Sequence, residues 1–175
     1  VLDCSHNELT ALDVSQNNFL EDLFCSSNDL SALDLTLNTA LEILKCNSNG
    51  ITALDLSQNS ALNQLLCYNN LLHCLNVTNG NNVNVIYFIA DNNSFLNCIE
   101  VDNVAYSNAN WTQIDPLVSF SNNCNFPVGC FTHTLIEEIT PNISLYPNPT
   151  NNLIKLDIDG YSGLVNVEVY DFTGK

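Results

Sequence analysis

The sequence has very few basic residues and no long apolar run. Arg is absent, and three Lys stand against 19 Asp and Glu, which gives a net charge of −16. Nucleic-acid-binding proteins neutralise phosphates with Lys and Arg, and anionic membrane surfaces attract the same residues. No stretch reaches the roughly 20 apolar residues of a membrane span. The composition excludes nucleic-acid partners and direct membrane insertion, and it fits a soluble protein dispersed by self-repulsion.

The sequence also lacks the motifs of common enzyme sites. It contains no nucleophile elbow, no H-E-x-x-H pair, no phosphate-binding loop and no glycine fingerprint. His6, His73 and His133 have no partners at metal or triad spacing. We therefore expect no catalytic residue, no metal and no cofactor in this chain. A catalytic domain upstream stays open, because Val1 is not Met and the chain starts within a repeat, which we interpret as N-terminal truncation.

The first half of the sequence contains a repeat of 21 residues. Four Cys recur at this interval, each with a Leu two residues before it and an Asn three residues after it. The members are Cys4, Cys25, Cys46 and Cys67, with Leu2, Leu23, Leu44 and Leu65, and with Asn7, Asn28, Asn49 and Asn70. A period of about 20 to 50 residues indicates a solenoid.

Each unit has two halves with the same L-x-x-L-x-L-x-x-N pattern, and each half predicts a short strand followed by a turn. Both Leu of an L-x-L segment point to one side, and only stacked coils can bury such a row. We expect parallel strands about 4.8 Å apart, with residues 2, 23, 44 and 65 aligned. Two extra residues in the turn 78–82 shift the next register, so that Ala90 takes the Cys position.

Asn residues are predicted to point inward at the bends. Their amides can satisfy unpaired backbone groups and bond to the Asn one coil away. One ladder would contain Asn7, Asn28, Asn49, Asn70 and Asn93, and a second would contain Asn17, Asn38 and Asn59. The fold class is therefore mainly β, a solenoid of parallel short strands.

The pattern L-x-x-L-x-C-x-x-N-x-L-T-x-L-D-L-S-x-N resembles the leucine-rich repeats of secreted and surface proteins from Bacteroidetes-type bacteria. The resemblance covers residues 1–97. It implies a role in protein interaction and does not name a partner.

The cysteines fall into two groups. The four repeat Cys occupy an inward position, and a straight ladder of side chains cannot converge on a metal, so we expect buried thiols. Cys98 and Cys124 lie beyond the ladder, and we expect them to form a disulfide, which an exported protein can keep. Cys74 and Cys130 could pair or stay free.

A cap is predicted for residues 98–130, where the repeat pattern stops. The last coil has an apolar end that needs a cover, and Trp111 and Phe120 are the candidates. This segment is similar to the one that closes such arrays in the same bacterial family. An alternative role for Trp111, the only Trp, is a platform for stacking a sugar. Residues 131–143 are interpreted as a linker.

The tail, residues 144–175, shows alternating segments and turn residues typical of a small β-sandwich. The pattern Y-P-N-P-T, followed by V-x-V-Y-D-x-x-G-K, resembles the first half of the C-terminal sorting domain of the type IX secretion system. The matching residues are Tyr146, Pro147, Asn148, Pro149, Thr150, Tyr170, Asp171, Gly174 and Lys175. The resemblance implies contact with that secretion machinery and a secreted protein, or one on the outer surface of a Gram-negative bacterium. The closing strands of that domain are missing.

The two outward rows of the repeats differ in variability. The L-D-L row is nearly uniform, with Asp13, Asp34, Asp55 and Asn76, and it indicates a solvated acidic face or, alternatively, a Ca²⁺ site. The L-x-C row is varied and partly apolar, as recognition surfaces are. We predict partner-binding residues there: Phe24, Lys45, Leu66, Tyr68, Tyr87 and Ile89. Scattered surface hydrophobes are the alternative.

Three functions remain open from the sequence. The first is an exported protein that binds or adheres to a protein or glycan. The second is a non-catalytic repeat module of a longer secreted hydrolase, with its catalytic domain upstream. The third is a structural spacer of the cell surface.

Overall fold

Leucines at equal intervals align to form the first sheet. The structure, a computed structural model, describes residues 1–131, together with the backbone of two strands near the C-terminus. The first sheet is parallel and has the strand order β1 (Leu2–Asp3), β2 (Asp22–Phe24), β3 (Ile43–Lys45), β5 (Gln64–Leu66) and β7 (Tyr87–Ile89).

The register of this sheet confirms the predicted alignment. Leu2 pairs with Leu23, Leu23 with Leu44, and Leu44 with Leu65. Leu65 then pairs with Phe88, two residues beyond the regular interval, as the longer turn predicts. Leu23, Leu44 and Leu65 are fully buried. The chain is therefore a solenoid of stacked coils whose leucines form one continuous core.

The second sheet lies on the other half of the coils and is also parallel. Its order is β4 (Ala53–Asp55), β6 (Cys74–Val77), β8 (Cys98–Val101) and β9 (Ser119–Ser121). Strands were also predicted around Asp13 and Asp34, but within residues 1–131 none forms there. The backbone bond from Thr52 N to Ser31 O is 3.4 Å long, against 2.8 Å from Cys25 N to Lys45 O in the first sheet. Regular backbone pairing on this side begins only with β4, which pairs with β6.

Coil stacking continues past residue 97, where the sequence pattern places the end of the array. β8 pairs with β6, and β9 pairs with β8. A short 3₁₀ turn, Asn82–Asn84, and one helix, α1 (Val104–Asn110), lie among these coils. The pairing of successive strands persists there although the leucine pattern has faded.

Trp111 and Phe120 cover the core at this end. Trp111 is 3% exposed and stacks on Phe88 with ring centroids 4.1 Å apart. Its Nε1 donates to the carbonyl of Val85 at 3.2 Å, and Phe120 packs edge-on at 5.8 Å. The alternative role for Trp111 as a sugar platform is wrong, because the ring is buried.

Two disulfides join the cysteines outside the ladder. Cys98 is bonded to Cys124, the pair expected from the sequence, with Cα atoms 5.8 Å apart. Cys74 is bonded to Cys130 with Cα atoms 6.0 Å apart, which settles the choice that the sequence left open. Both separations lie in the usual disulfide range.

The first Asn ladder bonds to backbone groups, as predicted. The predicted bonds between Asn side chains of adjacent coils do not form among its described members. Asn70 is typical. Its Nδ2 donates to the carbonyl of Cys67 in its own coil at 3.0 Å and to that of Cys46 in the preceding coil at 3.1 Å. Its Oδ1 accepts from Ile51 N at 3.1 Å. The Asn amides bond to the backbone in preference to other Asn side chains, because each bend leaves carbonyls and one N–H without a strand partner.

The second Asn ladder bridges coils on the side where the regular ladder is missing. Asn38 Nδ2 donates to the carbonyls of Val14 and Asn17 at 3.0 and 2.9 Å, and Asn59 Nδ2 donates to those of Leu35 and Asn38 at 3.0 and 2.8 Å. Side-chain amides thus link successive coils on the side where the early coils form no regular strand ladder.

The C-terminal unit, His133–Lys175, is separate from the first, Val1–Thr132. Within it, β10 (Ile143–Tyr146) pairs antiparallel with β11 (Lys155–Ile158), with Ile143 opposite Ile158. Apart from the backbone of these two strands, the sorting motif lies outside the described residues, as does nearly all of the predicted linker. Among the described residues, no helix is long and apolar enough to cross a membrane.

Candidate binding face

The outward side chains of the first sheet form a surface that we call the binding face. Because Leu23, Leu44, Leu65 and Phe88 point inward, the residues on either side of each point outward. Three rows result, each with one member per coil. They are Asp22, Ile43, Gln64 and Tyr87; Phe24, Lys45, Leu66 and Ile89; and, just beyond the strands, Ser26, Asn47, Tyr68 and Asp91, of which Asn47 is buried.

All six predicted partner-binding residues lie on this face. Phe24, Lys45, Leu66 and Ile89 are in register on adjacent strands and form its central row. Tyr87 belongs to the neighbouring row and is 57% exposed. Tyr68 follows Leu66 by two residues and so falls on the same side. The structure brings these side chains together; their role in binding stays a prediction.

Lys45 and Phe24 interact within the central row. The Lys45 Nζ lies 4.7 Å from the centroid of the Phe24 ring, which is a cation–π distance. The contact covers part of the ring and holds the ammonium group over it. At this end of the face, therefore, the apolar surface of Phe24 is less available to a partner than the sequence alone indicates.

Ile86 is an apolar residue beside the face that the sequence analysis missed. It is 68% exposed and immediately precedes β7. The corresponding positions in earlier coils, Glu21 and Glu42, are acidic and exposed. The signal was present in the sequence, since the two-residue shift that realigns Phe88 also places Ile86 in this position.

The uniform acidic row has a local structural role. Asp55 Oδ1 accepts a hydrogen bond from Ser57 N at 3.0 Å, and Asp13 and Asp34 accept equivalent bonds at 2.9 and 3.0 Å. This arrangement is an Asx turn, in which the side chain bonds the backbone two residues ahead. The bond from Ser15 N lowers the pKa of Asp13.

The Asx turns weaken the Ca²⁺ alternative for this row. One carboxylate oxygen of each Asp is already used within its own turn. In the described part of the chain, no group of three or more His, Cys, Asp or Glu is placed to hold a metal ion. The repetition of Asp follows from the need to close the same turn in each coil.

The four ladder cysteines are free thiols. Cys25, Cys46 and Cys67 are fully buried, and burial raises the pKa of the Cys25 and Cys67 thiols to about 12. Burial also raises the pKa of Cys46. A thiolate is the reactive form of Cys, so these side chains act as small apolar groups in the core.

Coils of about 21 residues, stacked through rows of buried leucines, define a leucine-rich-repeat type of solenoid. Solenoids of this kind present extended surfaces on which proteins bind, and they typically serve as binding modules. Among solved structures, the chain is similar to the functional domain of InlJ from Listeria monocytogenes, which includes a cysteine ladder.

The similarity to InlJ is partial. The two chains share 26% identity at a TM-score of 0.44, over 67% of this chain and 33% of that one. This chain therefore spans about a third of the length of that protein. A scan against models of protein families finds no match. A search of curated proteins finds no significant match either.

Proposed function

We propose that residues 1–131 form a protein-binding module that engages its partner through the binding face. The observation that carries this proposal is the contrast between the two outward rows. Asp13, Asp34 and Asp55 repeat because they close turns. Leu66, Tyr87 and their neighbours close no turn. Varied apolar and aromatic side chains on a regular sheet, free of that constraint, are the composition of a protein interface.

The proposal extends to export and cell-surface location. Two disulfides close the end of the solenoid, and disulfides persist mainly in oxidising compartments outside the cytosol. The resemblance of the tail to a type IX sorting domain supplies the route. We therefore propose a secreted or surface-attached protein of a Bacteroidetes-type bacterium with a role in binding or adhesion. In cells with an inactivated type IX channel, the protein should stay in the periplasm; unchanged delivery would contradict the route.

The test of the binding face uses a displayed library of small protein domains, selected on the native chain. Phe24→Ser, Leu66→Ser and Tyr68→Ser are combined in one variant. Truncating an anchor at an interface typically costs more than about 1 kcal/mol, so the selected domains should bind this variant at least about tenfold more weakly.

The matched control removes apolar side chains away from the face. Phe19 and Leu37 are 93% and 55% exposed and lie in turns of the other half of the coil. Phe19→Ser with Leu37→Ser should leave affinity unchanged, and thermal unfolding should show all variants folded. Equal losses in both variants, or no loss in either, would refute the proposal. Binding of arrayed oligosaccharides that Tyr68→Ser abolishes would instead assign the face to a glycan.

A further inference from the structure

The binding face changes polarity from one end of the sheet to the other. One row starts at Asp22 on β2 and ends at Tyr87 on β7, in register through Ile43 and Gln64. The flanking positions follow the same order, with acidic Glu21 and Glu42 in the early coils and Ile86 in the last. Along this edge of the face, the surface is therefore acidic beside β2 and apolar beside β7. Phe24 and Lys45 in the central row, and Asp91 after β7, do not follow this order.

The position after the Asn of each first-ladder turn also changes from acidic to apolar over the first four coils. Glu8 and Asp29 are exposed in the early coils. Leu71 occupies the same position in the fourth coil and is 46% exposed.

The acidic end carries a charge that few groups in the module can offset. Lys45 is the only Lys or Arg in residues 1–131, and its ammonium is held over the Phe24 ring. Glu21, Glu42 and Asp22 lie along one edge of the face beside β2 and β3, and Ile86 and Tyr87 lie along the same edge beside β7. A partner that covers both ends meets negative potential at one and desolvates hydrocarbon at the other.

We propose that the face takes an extended, basic and apolar segment of a partner protein that crosses the strands. Its Lys or Arg side chains lie against Glu21 and Asp22, and its apolar anchor lies against Leu66, Tyr87 and Ile89. The inference rests on the proposed function and adds the chemistry and direction of the partner. An acidic segment is disfavoured by like charge, and a second copy of this chain by its net charge of −16.

The strand spacing sets the distance between the two parts of such a segment. Three inter-strand steps separate β2 from β7, about 14 Å at roughly 4.8 Å each. An extended chain advances about 3.3 Å per residue, so the basic residue and the apolar anchor should be about four residues apart. This spacing distinguishes a built recognition surface from general attraction to an acidic protein.

The test selects peptides from a displayed library of random 12-residue sequences on the intact chain. Enriched peptides should carry Lys or Arg three to five residues from an aromatic or aliphatic residue. The affinity and association rate of the best peptide are then measured at two salt concentrations. Glu21→Gln with Asp22→Asn should weaken binding about three- to tenfold, mainly by slower association, and should flatten the salt dependence.

The matched control removes two charges elsewhere. Glu8→Gln with Asp29→Asn gives the same net charge but leaves the face intact, and it should leave affinity within about twofold. The inference is overturned if enriched peptides lack the spacing, or if both charge variants weaken binding equally. If Leu66→Ser with Tyr87→Ser abolishes binding while Glu21→Gln with Asp22→Asn changes nothing, the binding function stands and its polarity is wrong. Loss in none of these variants contradicts both.

Discussion

Neighbouring members of the first Asn ladder share backbone acceptors, so their removal should be non-additive. The carbonyl of Cys46 accepts from Asn49 in its own coil and from Asn70 in the next, both at 3.1 Å. The carbonyl of Cys67 likewise accepts from Asn70 and Asn93, at 3.0 and 3.2 Å. Each buried Cys carbonyl therefore keeps one donor when a single Asn is lost.

The cost of a single substitution comes mainly from one stranded N–H. In Asn70→Ala, Ile51 N loses its partner Oδ1, and Ile51 is fully buried. An unpaired buried donor costs about 1–3 kcal/mol, and the weakened carbonyl bonds add about 1 kcal/mol more. Asn49→Ala should behave in the same way through Leu30 N. We expect each variant to lose about 2–4 kcal/mol of unfolding free energy.

The double variant removes both donors from one buried carbonyl. Asn49→Ala with Asn70→Ala leaves Cys46 O without either amide. The desolvation cost of that carbonyl then appears for the first time, so the double variant should lose about 1–2 kcal/mol more than the sum of the single losses. Urea unfolding followed by Trp111 fluorescence and by circular dichroism measures all four corners of the cycle.

The matched control pairs two Asn that share no acceptor. Asn49 donates to the carbonyls of Cys25 and Cys46, whereas Asn93 donates to those of Cys67 and Ala90. Asn49→Ala with Asn93→Ala should be additive within about 0.5 kcal/mol. Additivity of the adjacent pair, or an equal coupling in both pairs, would refute the shared-acceptor account.

Three further predictions follow from contacts at the turns, in the thiol ladder and in the acidic row. Asp115→Ala should lose about 2–3 kcal/mol by urea unfolding, because the Asp115 carboxylate accepts charge-assisted bonds from Asn92 N and Asn93 N at 2.9 and 2.7 Å; a loss no larger than that of Asp55→Ala would contradict this. The pKa of Cys25 is raised from 9.0 to about 12, so its contribution to stability is present below pH 9 and is lost as pH rises towards 12. The urea midpoint of the native chain should therefore fall between pH 9 and 12, and Cys25→Val should reduce this fall. An unchanged pH profile in Cys25→Val would contradict the prediction. Added Ca²⁺ should leave the melting temperature unchanged, because the Asp13, Asp34 and Asp55 carboxylates already close turns; a rise that Asp55→Asn removes would restore the metal alternative.

Much of the solenoid was predictable because the sequence repeats it. The leucines of one coil can be buried only against those of the next coil. Because Leu23, Leu44 and Leu65 recur at an equal interval, only one alignment of their strands buries all three. The strand register after the longer turn could be predicted by counting residues to Phe88. The predicted binding residues share a face for the same reason, since strand alternation and coil register place them together.

The missing strands near Asp13 and Asp34 were not predictable from the pattern, which is the same in both halves of the unit. Backbone pairing on that side begins only with β4, so it depends on the packing of the array and not on the local pattern. On that side, Asn38 and Asn59 still bridge to backbone carbonyls of the preceding coil. Identical local sequence patterns can therefore produce Asn bridges on both sides of the coils but a regular strand ladder through the early coils on one side alone.

Asp115 shows most clearly why the end of the array could not be predicted. In earlier coils, the N–H groups at this turn donate to carbonyls of the next coil, as Asn69 N does to Asp91 O at 3.0 Å. The coil containing Asn92 and Asn93 has no regular coil after it at this position, and the Asp115 carboxylate supplies both acceptors. A carboxylate thus substitutes for a backbone turn, a role that depends on a contact across 22 residues and on no repeated motif. Repetition makes the interior of a solenoid predictable, whereas its end is built from residues that occur once.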